Sequence, residues 1–186
     1  SCFLPAFLAA TLLFIAPPAR AVPEGDYPRG MAAAEEYFTG HARLGTFTGT
    51  GGVTLAYAAL ENPAETGVLV LVNGRTETFA KYVELFYDFR ESGLSVYAYD
   101  HRGQGFSGRL LPDPMKGHVE DFDRYPEDLA IFVRDVVRRK PHARVSILSH
   151  SMGGAVTALC LERYPGLFSR AVFSAPGVRA RASRGG

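Results

Sequence analysis

Residues 147–156 read ILSHSMGGAV, an aliphatic run that breaks into small and polar residues and then resumes as an apolar segment. Serine is a weak nucleophile until a base takes its proton and its oxygen is held clear of the backbone. A sharp strand-to-helix turn does the second job, and it needs small residues two before and two after the serine, where the backbones nearly collide. Ser149 and Gly153 occupy those places around Ser151, giving Ser-x-Ser-x-Gly rather than Gly-x-Ser-x-Gly. The chemistry such a turn supports is acyl transfer. Ser151 is the candidate nucleophile, and the helix that follows aims its N-terminus at the developing oxyanion, with Met152 N–H as first donor. A solvent-facing serine in a Gly-rich turn does not explain why small and polar residues interrupt the sheet here.

A second donor is expected from the turn after an earlier strand. VLVNGRTETF (70–79) supplies it: Asn73-Gly74 make a tight turn, and Arg75 N–H follows to complete an oxyanion hole.

The elements that must hold these turns are legible in the patterning. RLGTFTGT and VTLAYAAL, separated by Gly51-Gly52, read as a hairpin. After Pro63 strands and helices alternate. VLVLV (68–72) is an aliphatic run of the kind buried on both faces of a sheet. Tyr82, Val83, Phe86 and Phe89 fall at helical spacing before Gly93, and LSVYAY (94–99) is the next strand. The spacing predicts a helix over 125–140, with Pro126 near its start, Glu127 and Asp128 in its first turn, a stripe of Leu129, Phe132, Val133, Val136 and Val137, and Arg138, Arg139 and Lys140 at its end. A strand at 144–148, a helix at 152–164 and a strand at 170–175 complete the series. The expected fold class is α/β, a mostly parallel, doubly covered sheet begun by an antiparallel hairpin. Residues 22–43 read as an N-terminal arm with one short helix, and 44–186 as the N-terminal part of the α/β domain.

Composition bounds the function. The 186 residues are 47% hydrophobic and 21% charged, as for one globular domain, and the net charge of +1 argues against a dedicated nucleic-acid binder. Cys2 and Cys160 make no disulfide framework; Cys160, in TALCLERY, reads as a small buried hydrophobe. FLPAFLAATLLFIA followed by PPARA reads as an export signal over residues 1–21, with Ala19 and Ala21 at the cleavage site; it is short for a membrane span. The expected location is periplasmic or secreted, with membrane association as the alternative.

Three segments, VNGRTETFAKYVELFYDF, YAYDHRGQGFSGRLLPDPMKGHVEDF and LSHSMGGAV, together resemble the bacterial lysophospholipase and monoacylglycerol-lipase branch of the α/β-hydrolases, over approximately residues 45–177. The resemblance implies an α/β-hydrolase fold, Ser151 as nucleophile, Met152 and Arg75 as oxyanion donors, and DHRGQGFS as a loop shaping the catalytic face. It implies a lipid or small-ester substrate, including lipid at a membrane surface, and no cofactor.

Other constellations are weaker. GQGFSG (103–108) fits the dinucleotide fingerprint, but the Pro-containing RLLPDPMKG that follows cannot open the required helix. Asp100 and Arg102 read as ion-pairing or hydrogen-bonding groups rather than catalysts. His150 adjoins Ser151, yet adjacent residues on such a turn point apart, which makes it a poor base. His101 and His118 read as ordinary loop histidines that could line a pocket, and no cluster has metal-ligand spacing.

In this fold the acid and the histidine of the triad follow the serine. None of the five histidines does, and Glu162, on a helix surface, is the only acid after Ser151. The chain is therefore expected to be the N-terminal part of a longer hydrolase, ending before the cap and final strands, with an uncovered sheet edge and negligible turnover by itself. The leading expectation is a serine ester hydrolase working through an acyl-enzyme at Ser151. A peptidase, a small-ester esterase and a non-catalytic binding protein of the same fold are the alternatives.

Overall fold

The computed structural model describes residues 21–177. The export-signal segment, apart from Ala21, and Cys2 lie outside the described residues. Helix α1 (Tyr27–His41) leads into strand β1 (Arg43–Thr48) and its antiparallel partner β2 (Thr54–Leu60). Strand β3 (Gly67–Val72), helix α2 (Val83–Asp88), β4 (Leu94–Tyr99), α3 (Arg124–Asp135), β5 (Val145–His150), α4 (Met152–Arg163) and β6 (Arg170–Ser174) follow. The six strands lie in the order β1-β2-β4-β3-β5-β6. Strand β2 runs antiparallel to β4, and all pairs from β4 to β6 are parallel.

The aliphatic run of β3 is buried on both faces, as read from its sequence. Its alternation assigns the two cores. Val68, Val70 and Val72 join Tyr99, Phe132, Val133, Val156 and Cys160 under α3 and α4. Leu69 and Leu71 join Phe79, Phe86 and Val96 under α2. Helix α1, longer than the short helix expected of the arm, covers that second core through Phe38, whose ring meets Phe86 edge-on at 5.0 Å.

The helical pattern over 125–140 yields a shorter α-helix. It stops at Asp135, and a 3₁₀ turn over Val137–Arg139 replaces its last turn. The tighter winding keeps Val136 and Val137 both in the core. Strand β5 runs two residues past the expected end, because Ser149 and His150 still pair with Phe173 and Ser174. Strand β6 forms the edge of the described sheet, and all its residues are exposed.

Chain direction across the sheet reverses around β3. The crossover to β4 packs α2 on one face, and the crossover to β5 packs α3 on the other. The carboxyl ends of β3 and β5 therefore open a crevice, where open α/β sheets bind ligands.

Candidate active site

Both turns singled out in the sequence emerge at this crevice. Ser151 lies between β5 and α4 with φ 49° and ψ −120°. A positive φ is rare for a residue with a Cβ and persists only where surrounding structure enforces it. Here the enforcement is visible: Ser151 N–H donates to Ser174 O at 3.1 Å, and Ser151 O accepts from Gly154 N–H at 2.9 Å and Gly177 N–H at 2.8 Å. The serine is thus gripped by the chain that leaves β6.

The reason for the small residues differs in part from the expectation. A Cβ on Gly153 would lie 2.5 Å from both Val72 O and Asn73 O, so the crowding comes from the end of β3 rather than from residue 149. Ser149 is buried, with its hydroxyl 3.4 Å from Val172 O. Gly154, which spacing did not single out, is as constrained: its Cβ would lie 2.6 Å from Pro176 Cβ.

The β3 turn lies against the serine. A Cβ on Gly74 would be 3.0 Å from Glu77 Oε2 and 3.2 Å from Ser151 Cβ, a tight fit that glycine relieves. Arg75 and Met152 line one recess of about 300 Å³, together with Gln104, His118 and Tyr125. Gly74 N–H is held by Glu77 Oε2 at 2.7 Å and Thr76 N–H by Gln104 Oε1 at 3.1 Å. Among the described residues, Arg75 N–H and Met152 N–H donate to nothing. Burial raises the Glu77 carboxyl, but hydrogen bonds from Lys81, the Tyr82 hydroxyl and Gly74 N–H outweigh it and hold the group at about 2. The turn is therefore closed by a charged carboxylate at neutral pH.

Behind the turn, Asp100 accepts from Phe79 N–H at 2.6 Å, Phe106 N–H at 2.7 Å, Thr78 Oγ1 at 2.9 Å and Asn73 Nδ2 at 3.3 Å. Burial raises its carboxyl despite these four bonds. Arg102 forms a buried pair with Asp128. Both residues are structural groups in this geometry, as their loop setting suggested. The 103–108 stretch is a series of turns from which no helix starts.

The histidines separate. His101 is fully buried, its Nε2–H donating to Asn73 O at 3.1 Å, and burial pushes its imidazole down to about 4. His118 borders the recess beside Arg75 and Met152. His150 borders a different recess, of about 230 Å³, with Leu148 and Tyr82. No histidine among the described residues bonds the Ser151 hydroxyl. Among the described residues, no group of three or more His, Cys, Asp or Glu is placed to hold a metal ion.

The strand order, the crevice at the switch point and the gripped serine turn define an α/β-hydrolase fold. Residues 63–184 match the family described as serine aminopeptidase, S33, and the chain belongs to that family. It is 42% identical over 130 residues to lysophospholipase L2 of Escherichia coli, covering 70% of this chain and 38% of that protein. It is 35% identical over 136 residues to a monoacylglycerol lipase of Mycolicibacterium smegmatis, covering 73% of this chain and 47% of that one. A thermostable carboxyl esterase from Bacillus coagulans superposes with a TM-score of 0.64 at 18% identity, over 72% of this chain and 44% of its own. The chain thus spans less than half the length of these curated relatives.

Proposed function

We propose that the complete gene product is a serine ester hydrolase of the lysophospholipase or monoacylglycerol-lipase type. Ser151 Oγ attacks the acyl ester carbonyl, the alcohol leaves, and water releases the fatty acid from the acyl-enzyme. Met152 N–H and Arg75 N–H receive the oxyanion. The observation that carries this reading is the conformation of Ser151. A binding module has no use for a serine held at φ 49° next to two turns whose Arg75 and Met152 N–H groups have no acceptor among the described residues, whereas a nucleophile has.

Support for a lipid ester over a peptide comes from the relatives, whose names are lysophospholipase and monoacylglycerol lipase although the family carries a peptidase's name. Export is proposed as well, on the apolar run and small-residue site within 1–21. N-terminal sequencing of the mature protein from the producing cell tests it.

The test of the activity is Ser151→Ala in the complete gene product. Wild type should release fatty acid from lysophosphatidylcholine or monoacylglycerol, and a fluorophosphonate should label the Ser151 peptide. The variant should lose both. Turnover of aminoacyl p-nitroanilides without ester hydrolysis would favour a peptidase. Ligand binding unchanged by the substitution, with no turnover in wild type, would favour a binding protein.

A further inference from the structure

The stretch GQGFSG is not used by the hydrolytic chemistry, yet its geometry is closely determined. A Cβ on Gly103 (φ 76°) would lie 2.5 Å from His118 O, and one on Gly105 (φ 54°) would lie 2.0 Å from Asp100 Oδ2. Both flanking positions therefore exclude side chains and require a left-handed backbone, which glycine adopts without steric cost. Between them Gln104 carries the one long side chain, and it is 8% exposed.

That side chain reaches the turn after β3. Gln104 Nε2 donates to Gly74 O and to Glu77 O, both at 2.9 Å, and Gln104 Oε1 accepts from Thr76 N–H at 3.1 Å. One amide thus spans the turn from residue 74 to residue 77 and uses both its donors and its acceptor. The turn needs this support. Thr76 is β-branched and sits at φ 59°, a conformation that must be over-determined by its surroundings. Of three successive N–H groups, those of Gly74 and Thr76 are taken by the Glu77 and Gln104 side chains, and Arg75 N–H alone has no acceptor among the described residues.

We propose that Gln104 is a positioning residue for the oxyanion hole: its amide clamps residues 74–77 so that Arg75 N–H points at the site where the oxyanion forms. The inference rests on the reading of Arg75 N–H as an oxyanion donor. The GQG stretch is then a clamp mount rather than a ligand-binding loop. Gly103 and Gly105 let the loop pass under the turn, and Gln104 reaches up from it.

The test uses Gln104→Ala, Gln104→Met and Gln104→Glu in the complete gene product, with Ser151→Ala as reference. Glutamate keeps an acceptor for Thr76 N–H and places a carboxylate oxygen against two carbonyls; methionine keeps the volume without the bonds. Loss of one oxyanion donor costs ~100–1000-fold in kcat, so misplacing one should cost about 10–100-fold, with KM changed less than about threefold. An alkyl trifluoromethyl ketone adds to a serine hydroxyl and places its own oxyanion in the hole. Its Ki should rise in parallel with the fall in kcat/KM across the series, measured per active site titrated with a fluorophosphonate.

A kcat within about twofold of wild type per titrated site would overturn the proposal, as would an unchanged Ki. Gln104→Glu is the variant to rely on if alanine yields little folded protein. Failure of the functional reading shows separately: wild type would then hydrolyse no ester and take up no fluorophosphonate at Ser151, whatever stands at position 104.

Discussion

The Arg102 guanidinium meets the Asp128 carboxylate at both ends, Nε to Oδ2 at 2.7 Å and Nη2 to Oδ1 at 2.8 Å, and both side chains are buried. The pair joins three separate parts of the fold. Arg102 Nη2 also donates to Thr50 O at 2.7 Å, and Thr50 N–H donates to Asp128 Oδ1 at 2.8 Å. The loop that carries Gln104 is thereby fixed to α3 and to the β1–β2 turn. A bidentate pair to which each partner adds a further hydrogen bond is the arrangement in which a buried ion pair repays its desolvation.

Removing one partner leaves a buried charge alone. Asp128→Ala is expected to destabilise the protein by about 3–5 kcal/mol, and the double change Asp128→Leu with Arg102→Met by less than that. Chemical denaturation of the complete gene product measures both. A loss under about 1 kcal/mol for the single variant would show that the pair does not hold the loop.

Gly153 and Gly154 are constrained by different neighbours, and alanine at each should show it. At 153 the added methyl meets two backbone carbonyls at 2.5 Å, which move only if the end of β3 moves. Gly153→Ala should therefore cost about 1–3 kcal/mol of stability and displace Ser151 from the β3 turn, lowering kcat at least tenfold. At 154 the methyl meets Pro176, so Gly154→Ala should loosen the chain after β6 that grips Ser151. Its signature is slower fluorophosphonate labelling at Ser151 with a smaller stability loss. Labelling at the wild-type rate in both variants would sink the account of the glycines.

The serine turn was legible because local spacing carries it: an aliphatic strand, small residues around Ser151, then an apolar helix. The strand and helix series was legible for the same reason, since β3 is buried on both faces and α3 on one stripe. What local pattern does not hold is which distant group a residue meets. The serine turn's spacing calls for a small residue at 153, and the carbonyls that would crowd a side chain there belong to Val72 and Asn73, about eighty residues earlier. Asp128 reads from the sequence as a first-turn acid suited to the helix dipole; its partner is a buried arginine in another loop. Gln104 gives no signal at all, because its three bonds exist only once β3 and β4 lie side by side and place their two loops together.

Cys160 lies on the buried face of α4, and burial pushes its thiol up to about 12. The thiolate is the reactive form, so the native protein should not alkylate there at pH 8. Iodoacetamide followed by peptide mass analysis should find the Cys160 peptide unmodified in buffer and modified in denaturant. Rapid modification in the native state would mean that α4 opens from the sheet, which would also release the helix behind Ser151.

His101 links pH to the β3 turn. Its imidazole titrates at about 4 in the folded protein against an ordinary 6.5, because burial disfavours the cation, although the bond to Asn73 O favours it. Between those values the unfolded chain binds a proton that the folded chain does not, so stability rises with pH across that window. The contribution is complete above 6.5 and is lost as pH falls toward 4, amounting to about 3 kcal/mol. Glu77 acts in the same sense lower down, losing its contribution from 4.5 toward 2, while the raised Asp100 carboxyl works against it. His101→Gln keeps a donor for Asn73 O and removes the titration. Urea unfolding of wild type and variant at pH 7, 5.5 and 4.5 should therefore show a steep loss for wild type and a shallow one for the variant. Equal slopes in that range would assign the acid lability to the carboxylates and free the Asn73 carbonyl from His101.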